Sequence, residues 1–178
     1  REGLLLPATP IYHGMSPSGD AKVYRLPWKA QRAWLAEKTQ GVTSKSDIWR
    51  IMQSDDFEPH KVALILSSNQ TIESAGGSVK VISDRPGYIE LEVENEDESL
   101  LVVSEAWYPG WTATVDGRKA PTEMVNGYVQ GVHLQNPGPQ RVLLEYNPLL
   151  LRQGFAGSII GLLLTIALCF WKPGDRND

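Results

Sequence analysis

The feature that most restricts this chain is an uncharged stretch from Gly154 to Trp171. As a helix, its 18 residues would span roughly 27 Å, close to the thickness of the hydrocarbon core of a bilayer. Nine of them are Leu, Ile or Phe, and together these favour insertion by about 3–5 kcal/mol. We therefore predict a transmembrane helix over residues 149–171, followed by a short polar tail over residues 172–178. The alternative is the buried helix of a soluble protein, but the run has no polar face to turn toward water.

Small residues recur at every fourth position within this predicted helix. Gly157, Gly161 and Thr165 would share one helix face, and small residues let a second helix approach closely in a membrane. We expect this face to pack against other transmembrane helices. Because glycine is common in membrane helices, a chance match is the alternative interpretation.

The middle of the chain has the pattern of short strands separated by turns. In Tyr88–Glu94, Ile89, Leu91 and Val93 alternate with glutamates, which predicts a strand with its glutamates in water. The unbroken apolar run Leu100–Val103 predicts a strand that is buried on both faces. Asp116-Gly117 and Asn126-Gly127 are typical of tight hairpin turns.

These signals predict a mainly β fold, namely an antiparallel, jelly-roll-like β-sandwich over residues 21–148. Prolines and glycines punctuate residues 1–20, where we expect a connector with one short strand near Leu4–Leu6. The best candidate for a helix in this part of the chain is Ser44–Met52, with Ser46 as its N-cap.

A cluster of aromatic residues lies between two of the predicted strands. Trp107, Tyr108 and Trp111 could stack on sugar rings, and the polar side chains of Glu105 and Asn126 could bind sugar hydroxyls. The alternative is that these rings pack in the core. That alternative is strongest for Trp111, which alternates with Ala113 and Val115. The cluster is therefore a candidate carbohydrate contact with a competing structural interpretation.

Composition argues against several classes of function. The net charge of −4 and the pI of about 5.4 disfavour nucleic-acid binding, which requires a basic face. One cysteine, Cys169, and three scattered histidines offer no spacing for metal ligands. No nucleophile–base motif occurs, so we assign no catalytic residue and expect no cofactor.

The segment Ser104–Gly117, SEAWYPGWTATVDG, resembles a signature near the C-terminus of the YfhO-like family of bacterial membrane proteins. The resemblance extends over roughly residues 21–171 in the order and spacing of its elements. It departs from the family pattern at Trp107, where another aromatic residue such as Tyr is usual.

The resemblance implies a polytopic membrane protein with a core similar to GT-C-type glycosyltransferases, which use lipid-linked sugars. A late extracytoplasmic β-domain precedes the last transmembrane helix in this family, which would place residues 172–178 in the cytoplasm. The family's catalytic acidic residues are expected in early loops of the multi-helix core, which this chain lacks. The resemblance thus implies a non-catalytic accessory domain at the cell membrane, with the bilayer, the parent's other helices and a cell-envelope glycan as partners. A carbohydrate-binding module and a purely structural or assembly domain are the alternatives.

Overall fold

The structure, a computed structural model, describes residues 9–16, 19–25, 30–67 and 71–170. The strand expected near Leu4–Leu6, the residue Trp171 and the tail at 172–178 lie outside these residues. The chain divides into two compact units, residues 1–32 and residues 33–178.

The first unit contains an antiparallel hairpin of β1 (Thr9–Ser16) and β2 (Gly19–Arg25). The sequence predicted a connector up to residue 20 and a first sandwich strand from Ala21. Instead, that strand pairs with a segment of the expected connector. The hairpin therefore includes residues on both sides of the predicted boundary at residue 20. Prolines and glycines are frequent in residues 1–20 of the sequence, and they masked the strand signal there.

The second unit is a β-sandwich made of two sheets. The five-stranded sheet is antiparallel, as expected, and has the strand order β11-β10-β14-β8-β7. Its strands are β7 (Gly77–Arg85), β8 (Tyr88–Asn95), β10 (Trp111–Val115), β11 (Arg118–Ala120) and β14 (Gly138–Tyr146). The seven-stranded sheet has the order β3-β9-β13-β12-β5-β4-β6. Its strands are β3 (Ala33–Leu35), β4 (Lys38–Val42), β5 (Val62–Leu66), β6 (Thr71–Glu73), β9 (Ser99–Ala106), β12 (Thr122–Val125) and β13 (Val129–Leu134).

One strand pair in the seven-stranded sheet is parallel rather than antiparallel. β4 and β5 run side by side in the same direction, with the helix α1 (Lys45–Met52) between them in sequence. Adjacent parallel strands need a crossover connection, and α1 supplies it. The helix itself confirms the prediction, but its N-cap is Ser44 rather than Ser46. The Ser44 Oγ accepts a hydrogen bond from the Asp47 backbone N–H at 3.1 Å.

The main core lies between the two sheets. Ile89, Leu91 and Val93 face it from β8, and all three are almost fully buried, which confirms the predicted alternation. Leu101 and Val103 face the same core from β9, whereas Leu100 and Val102 belong to a second apolar cluster on the other face of that sheet. The prediction that this strand is buried on both faces is therefore confirmed.

Both predicted hairpin turns have the backbone conformation that their residues favour. Asp116 and Gly117 have φ angles of 48° and 77°, and Asn126 and Gly127 have φ angles of 50° and 78°. Positive φ at both central residues defines a type I′ turn, which matches the right-handed twist of the flanking strands. These turns fix the register of β10 with β11 and of β12 with β13.

The helix α2 (Leu149–Phe170) follows β14 after two residues. Its segment Gln153–Phe170 is long and apolar enough to cross a membrane, and none of it is buried against the rest of the protein. An apolar helix that is exposed all round is unfavourable in water. The structure therefore does not show the alternative arrangement, in which this helix is buried inside a soluble domain.

Candidate functional site

The strands bring four segments together at one end of the sandwich. These segments are residues 86–87, 107–110, 126–128 and 146–148, which we call the aromatic end. The strand register places them there, since Trp111 pairs with Tyr146, Glu145 with Tyr88, and Val129 with Ala106. The opposite end contains residues 96–98, 116–117 and 135–137, which we call the acidic end. β8 has eight residues, so the two ends are about 26 Å apart.

The aromatic end is held together by backbone hydrogen bonds between its segments. The backbone N–H of Trp107 donates to the carbonyl of Tyr128 at 2.8 Å, and that of Tyr146 donates to the carbonyl of Gly87 at 2.9 Å. The N–H of Asn147 donates to the carbonyl of Gly110 at 2.7 Å. The turn that contains the aromatic signature is therefore fixed directly to the residues that lead into α2.

Packing reinforces this connection between the turn and the start of α2. Gly110 has a φ angle of +115°, and a Cβ placed there would lie 3.0 Å from a side-chain carbon of Pro148. Only glycine combines that backbone conformation with so close a contact. Pro148 directly precedes the first residue of α2, so the turn lies against the entrance to the helix.

The aromatic side chains divide into a partly buried group and an exposed group. The Trp111 ring packs against the main core and lies 5.4 Å, centroid to centroid, from the ring of Tyr146. The Tyr108 ring lies 6.5 Å from that of Tyr146 and is 63% exposed. The exposed fraction of Trp107 is 37%. The structural interpretation therefore fits Trp111, whereas Trp107 and Tyr108 present aromatic surface to the surroundings.

The two polar residues of the predicted carbohydrate contact have different environments. Asn126 is only 4% exposed, and its side-chain oxygen accepts a hydrogen bond from the Leu64 backbone N–H at 2.9 Å. The backbone N–H of Asn126 donates to the Leu64 carbonyl. These two hydrogen bonds connect the β12–β13 turn to β5. Glu105 is half-buried near the end of β9. Asn126 therefore serves the fold, and the structure does not present its amide to a ligand.

Glu90 contradicts the prediction that the glutamates of β8 all face water. Its carboxylate is largely buried and accepts a hydrogen bond from the Arg141 Nε at 2.6 Å and from the Tyr88 hydroxyl at 3.0 Å. The Arg141 bond, followed by the Tyr88 bond, lowers the pKa of Glu90. The bond to Glu90 in turn raises the pKa of Tyr88. Sequence alternation placed Glu90 on the outer face correctly but could not show which cation covers it there.

A depression of about 300 Å³ adjoins this ion pair, with Thr114, Asp116 and Leu143 in its lining. A second cavity, of about 470 Å³, lies near the acidic end between β11 and the residues that follow His133. Within the described ranges, no group of three or more His, Cys, Asp or Glu side chains is suited to hold a metal ion. The polar side chains beside the first depression, Glu90, Arg141 and Tyr88, bond to one another, which is typical of a structural interaction.

Polar side chains fix the acidic end. The Gln140 Nε2 donates at 2.6 Å both to the Asn95 side-chain oxygen and to the Asn136 carbonyl. The Asp97 carboxylate accepts from the Ser74 hydroxyl at 2.9 Å and from the Ala75 backbone N–H. Sequence reasoning missed this network because its partners come from distant parts of the chain.

The predicted helix-packing residues lie on α2 as expected. A Cβ added at Gly157 or Gly161 would meet no atom within 4 Å, so this face of the helix is open. The Thr165 hydroxyl donates to the Gly161 carbonyl at 2.9 Å, which satisfies its polar group within the helix. A second helix could therefore approach this face without leaving a hydroxyl unpaired.

Comparisons of this chain with protein-family models, with curated proteins and with solved structures gave no match.

Proposed function

We propose that this chain is the C-terminal extracytoplasmic β-sandwich and last transmembrane helix of a polytopic bacterial membrane protein of the YfhO-like type. In that protein the sandwich is a non-catalytic accessory domain, which packs over the membrane core of a transferase that uses a lipid-linked sugar. Its task is to help position an acceptor in the cell envelope. The observation that carries this proposal is α2, which follows the last strand after two residues and whose apolar segment Gln153–Phe170 is not buried against the rest of the protein.

The open face of α2 supports a role as part of a larger membrane assembly. Gly157 and Gly161 expose backbone to close approach, and van der Waals packing at such faces drives helix association in lipid. The bilayer and the other helices of the parent protein are the partners that this surface fits.

The state of the ionisable groups supports a non-catalytic role. A general acid or base needs a free hydrogen-bonding position toward its substrate. The Glu90 carboxylate, the most buried acid among the described residues, is instead bound by Arg141 and Tyr88. Its lowered pKa keeps it ionised at neutral pH, in the form that suits an ion pair.

The proposal is tested by sugar transfer in vesicles, measured for this chain alone and for the complete reading frame that contains it. We expect no turnover from the chain alone. In the complete protein, Gly161→Leu should reduce transfer to the acceptor because it fills the packing face. Leu163→Trp adds bulk on the opposite side of the helix and is the matched control. Turnover by the chain alone would contradict the accessory role.

A carbohydrate-binding module is the second candidate, and the exposure of Tyr108 and Trp107 favours it. Its test is a titration of cell-envelope glycans against tryptophan fluorescence in the wild type and in Trp107→Phe. Trp34 packs with the second apolar cluster, so Trp34→Phe is the control. A response that Trp107→Phe removes and Trp34→Phe keeps supports binding. The absence of any response argues for a structural or assembly domain.

A further inference from the structure

The aromatic end carries no charged residue in any of its four segments. Those segments do contain four aromatic residues, and each of these is more than a third exposed: Trp107, Tyr108, Tyr128 and Tyr146. Loops of a protein surrounded by water are usually polar, so four neighbouring uncharged segments with exposed rings indicate a different environment. Tyr and Trp are enriched at membrane–water interfaces, where the ring is in apolar surroundings and its polar atom reaches water.

The depth of this end relative to the helix can be estimated from the chain itself. The membrane-length segment of α2 begins at Gln153, five residues after Pro148. Five helical residues rise about 7.5 Å, and the polar layer on each side of a bilayer is about 5–7.5 Å thick. A group that contacts Pro148 therefore lies in, or at the edge of, the headgroup layer. Gly110 makes that contact, and Tyr108 is two residues away.

The charges of the acidic end favour the same orientation. Glu96, Asp97, Glu98 and Asp116 lie there, and the basic residues Arg118 and Lys119 follow directly on β11. Carboxylates outnumber basic side chains at this end, so it offers no polybasic attraction to anionic lipids. The acidic end is also separated from the aromatic end by the length of the strands, so it points away from the membrane when the aromatic end contacts it.

We propose that the aromatic end of the sandwich lies in the headgroup layer of the bilayer, with Trp107, Tyr108 and Tyr128 in contact with lipid. This surface acts as a second, interfacial attachment that fixes the orientation of the sandwich relative to the bilayer. The inference rests on the proposed membrane insertion of α2. It explains why the exposed rings gather beside the helix entrance, a position that glycan binding does not require.

The test measures the depth of single spin labels in the full chain, reconstituted into vesicles of phosphatidylcholine and phosphatidylglycerol. In a Cys169→Ser background, labels are placed by Tyr108→Cys and Tyr128→Cys at the aromatic end and by Lys119→Cys on β11 near the acidic end. Leu162→Cys marks the middle of the apolar segment. Each label's exposure to oxygen, which concentrates in lipid, is compared with its exposure to a nickel chelate confined to water.

We expect the label at residue 162 to be accessible to oxygen and shielded from nickel. The labels at 108 and 128 should be intermediate, with nickel access several-fold below that at residue 119. If 108 and 128 match 119 while 162 lies in lipid, the interfacial attachment is wrong and the anchor stands. If 162 also matches 119, the anchor itself is wrong. Labels at 108 and 128 that are immobilised and inaccessible to both reagents would indicate a protein contact and overturn the lipid assignment.

A second measurement leaves Tyr108 and Tyr128 in place. Lipids that carry bromine near the headgroup quench tryptophan fluorescence at that depth. The quenched component should shrink in Trp107→Phe and remain unchanged in Trp34→Phe, the control in the second apolar cluster. An equal quenched component in the wild type and in Trp107→Phe would contradict the placement of this residue in the headgroup layer.

Discussion

The two ends of the sandwich are built on the same strands and differ in how their turns are held. At the aromatic end, uncharged turns are joined by backbone hydrogen bonds, by the Asn126 side-chain bond to Leu64 and by ring packing around Tyr146. At the acidic end, carboxylate and amide side chains bind the turns through the hydrogen bonds of Gln140, Asn95 and Asp97. Strand pairing determines where both ends lie, but turn composition determines which surroundings each end suits.

A stable end of a β-sandwich can be formed in two ways. Turns rich in carboxylates and amides suit an end in water, because their exposed charges remain solvated while the buried amides of Gln140 and Asn95 bond to each other. Backbone pairing combined with aromatic packing leaves no charge to desolvate, so it suits an end beside a lipid surface.

The largest effect should come from charges placed in α2, on which the difference between the ends depends. Leu162→Arg combined with Leu163→Arg adds about 5–7 kcal/mol to the cost of insertion, which exceeds what the apolar residues contribute. In a glycosylation-based insertion assay, the double variant should fail to span the membrane. Leu162→Ala with Leu163→Ala is the control and should still insert. Normal insertion of the arginine variant would contradict the proposal that α2 anchors the sandwich with its two ends in different surroundings.

Glycine substitutions in turns at the two ends should have unequal effects. Gly110→Ala brings a Cβ within 3.0 Å of Pro148 and Tyr146 at a φ angle of +115°, so we expect a loss of about 3 kcal/mol in the free energy of unfolding. Gly117→Ala meets no atom within 4 Å and should cost only about 1 kcal/mol for its positive φ. Urea unfolding of the full chain in detergent micelles, followed by tryptophan fluorescence, measures both. Equal losses would mean that the turn does not pack against the helix entrance.

Removal of a buried amide should weaken the acidic end specifically. Gln140→Ala leaves the buried oxygen of Asn95 without the donor it has at 2.6 Å, which should lower the free energy of unfolding by about 2 kcal/mol. Gln135→Ala changes an exposed residue in the same region and should have almost no effect. The same unfolding assay compares the two variants. Equal unfolding free energies for the two variants would show that the side-chain hydrogen bonds of Gln140 do not stabilise this end.

The smallest effect is a pH dependence near the acidic end. The hydrogen bond to Glu123, with a further contribution from the charge of Glu98, raises the pKa of His133 above its ordinary value of 6.5. The stabilisation by protonated His133 is therefore complete below pH 6.5 and is lost as the pH rises through the raised pKa. We expect a contribution under about 1 kcal/mol, because the pair is partly exposed.

The measurement for His133 is the difference in unfolding free energy between the wild type and His133→Gln on either side of this range. Subtraction removes the titration of other carboxylates common to both proteins. The difference should shrink as the pH rises. A difference that is constant across the range would show that the histidine does not titrate with Glu123.

Local patterns predicted much of this fold. Ile89, Leu91 and Val93 alternate in sequence and face the core, and Asn126-Gly127 forms the turn that such a pair favours. The apolar run at Leu100–Val103 indicated a doubly buried strand because no polar residue interrupts it. Each of these features depends on neighbours within a few residues, which is the range over which sequence patterns are informative.

The features that sequence reasoning missed depend on long-range pairing. β4 has the sequence KTQGV, whose polar residues conceal a strand that is recognisable only beside β5. Glu90 is covered by Arg141, 51 residues away, and Asn126 binds the backbone of Leu64, 62 residues away. In the candidate site, the sequence selected Trp107 and Tyr108 as candidate contacts but left open whether their rings are exposed or packed in the core. It could not show that Tyr128, Tyr146 and the entrance to α2 lie beside them.

The most direct test of the membrane insertion of α2 is whether the wild-type chain stays with lipid vesicles and needs lipid or detergent to remain soluble. The full chain is reconstituted into vesicles, washed at alkaline pH to release peripheral proteins, and floated on a density gradient. A parallel sample is transferred to buffer without detergent or lipid. The account predicts that the chain floats with the vesicles after the wash and aggregates in the lipid-free buffer. Release by the wash, together with a monodisperse folded protein in plain buffer, would contradict it.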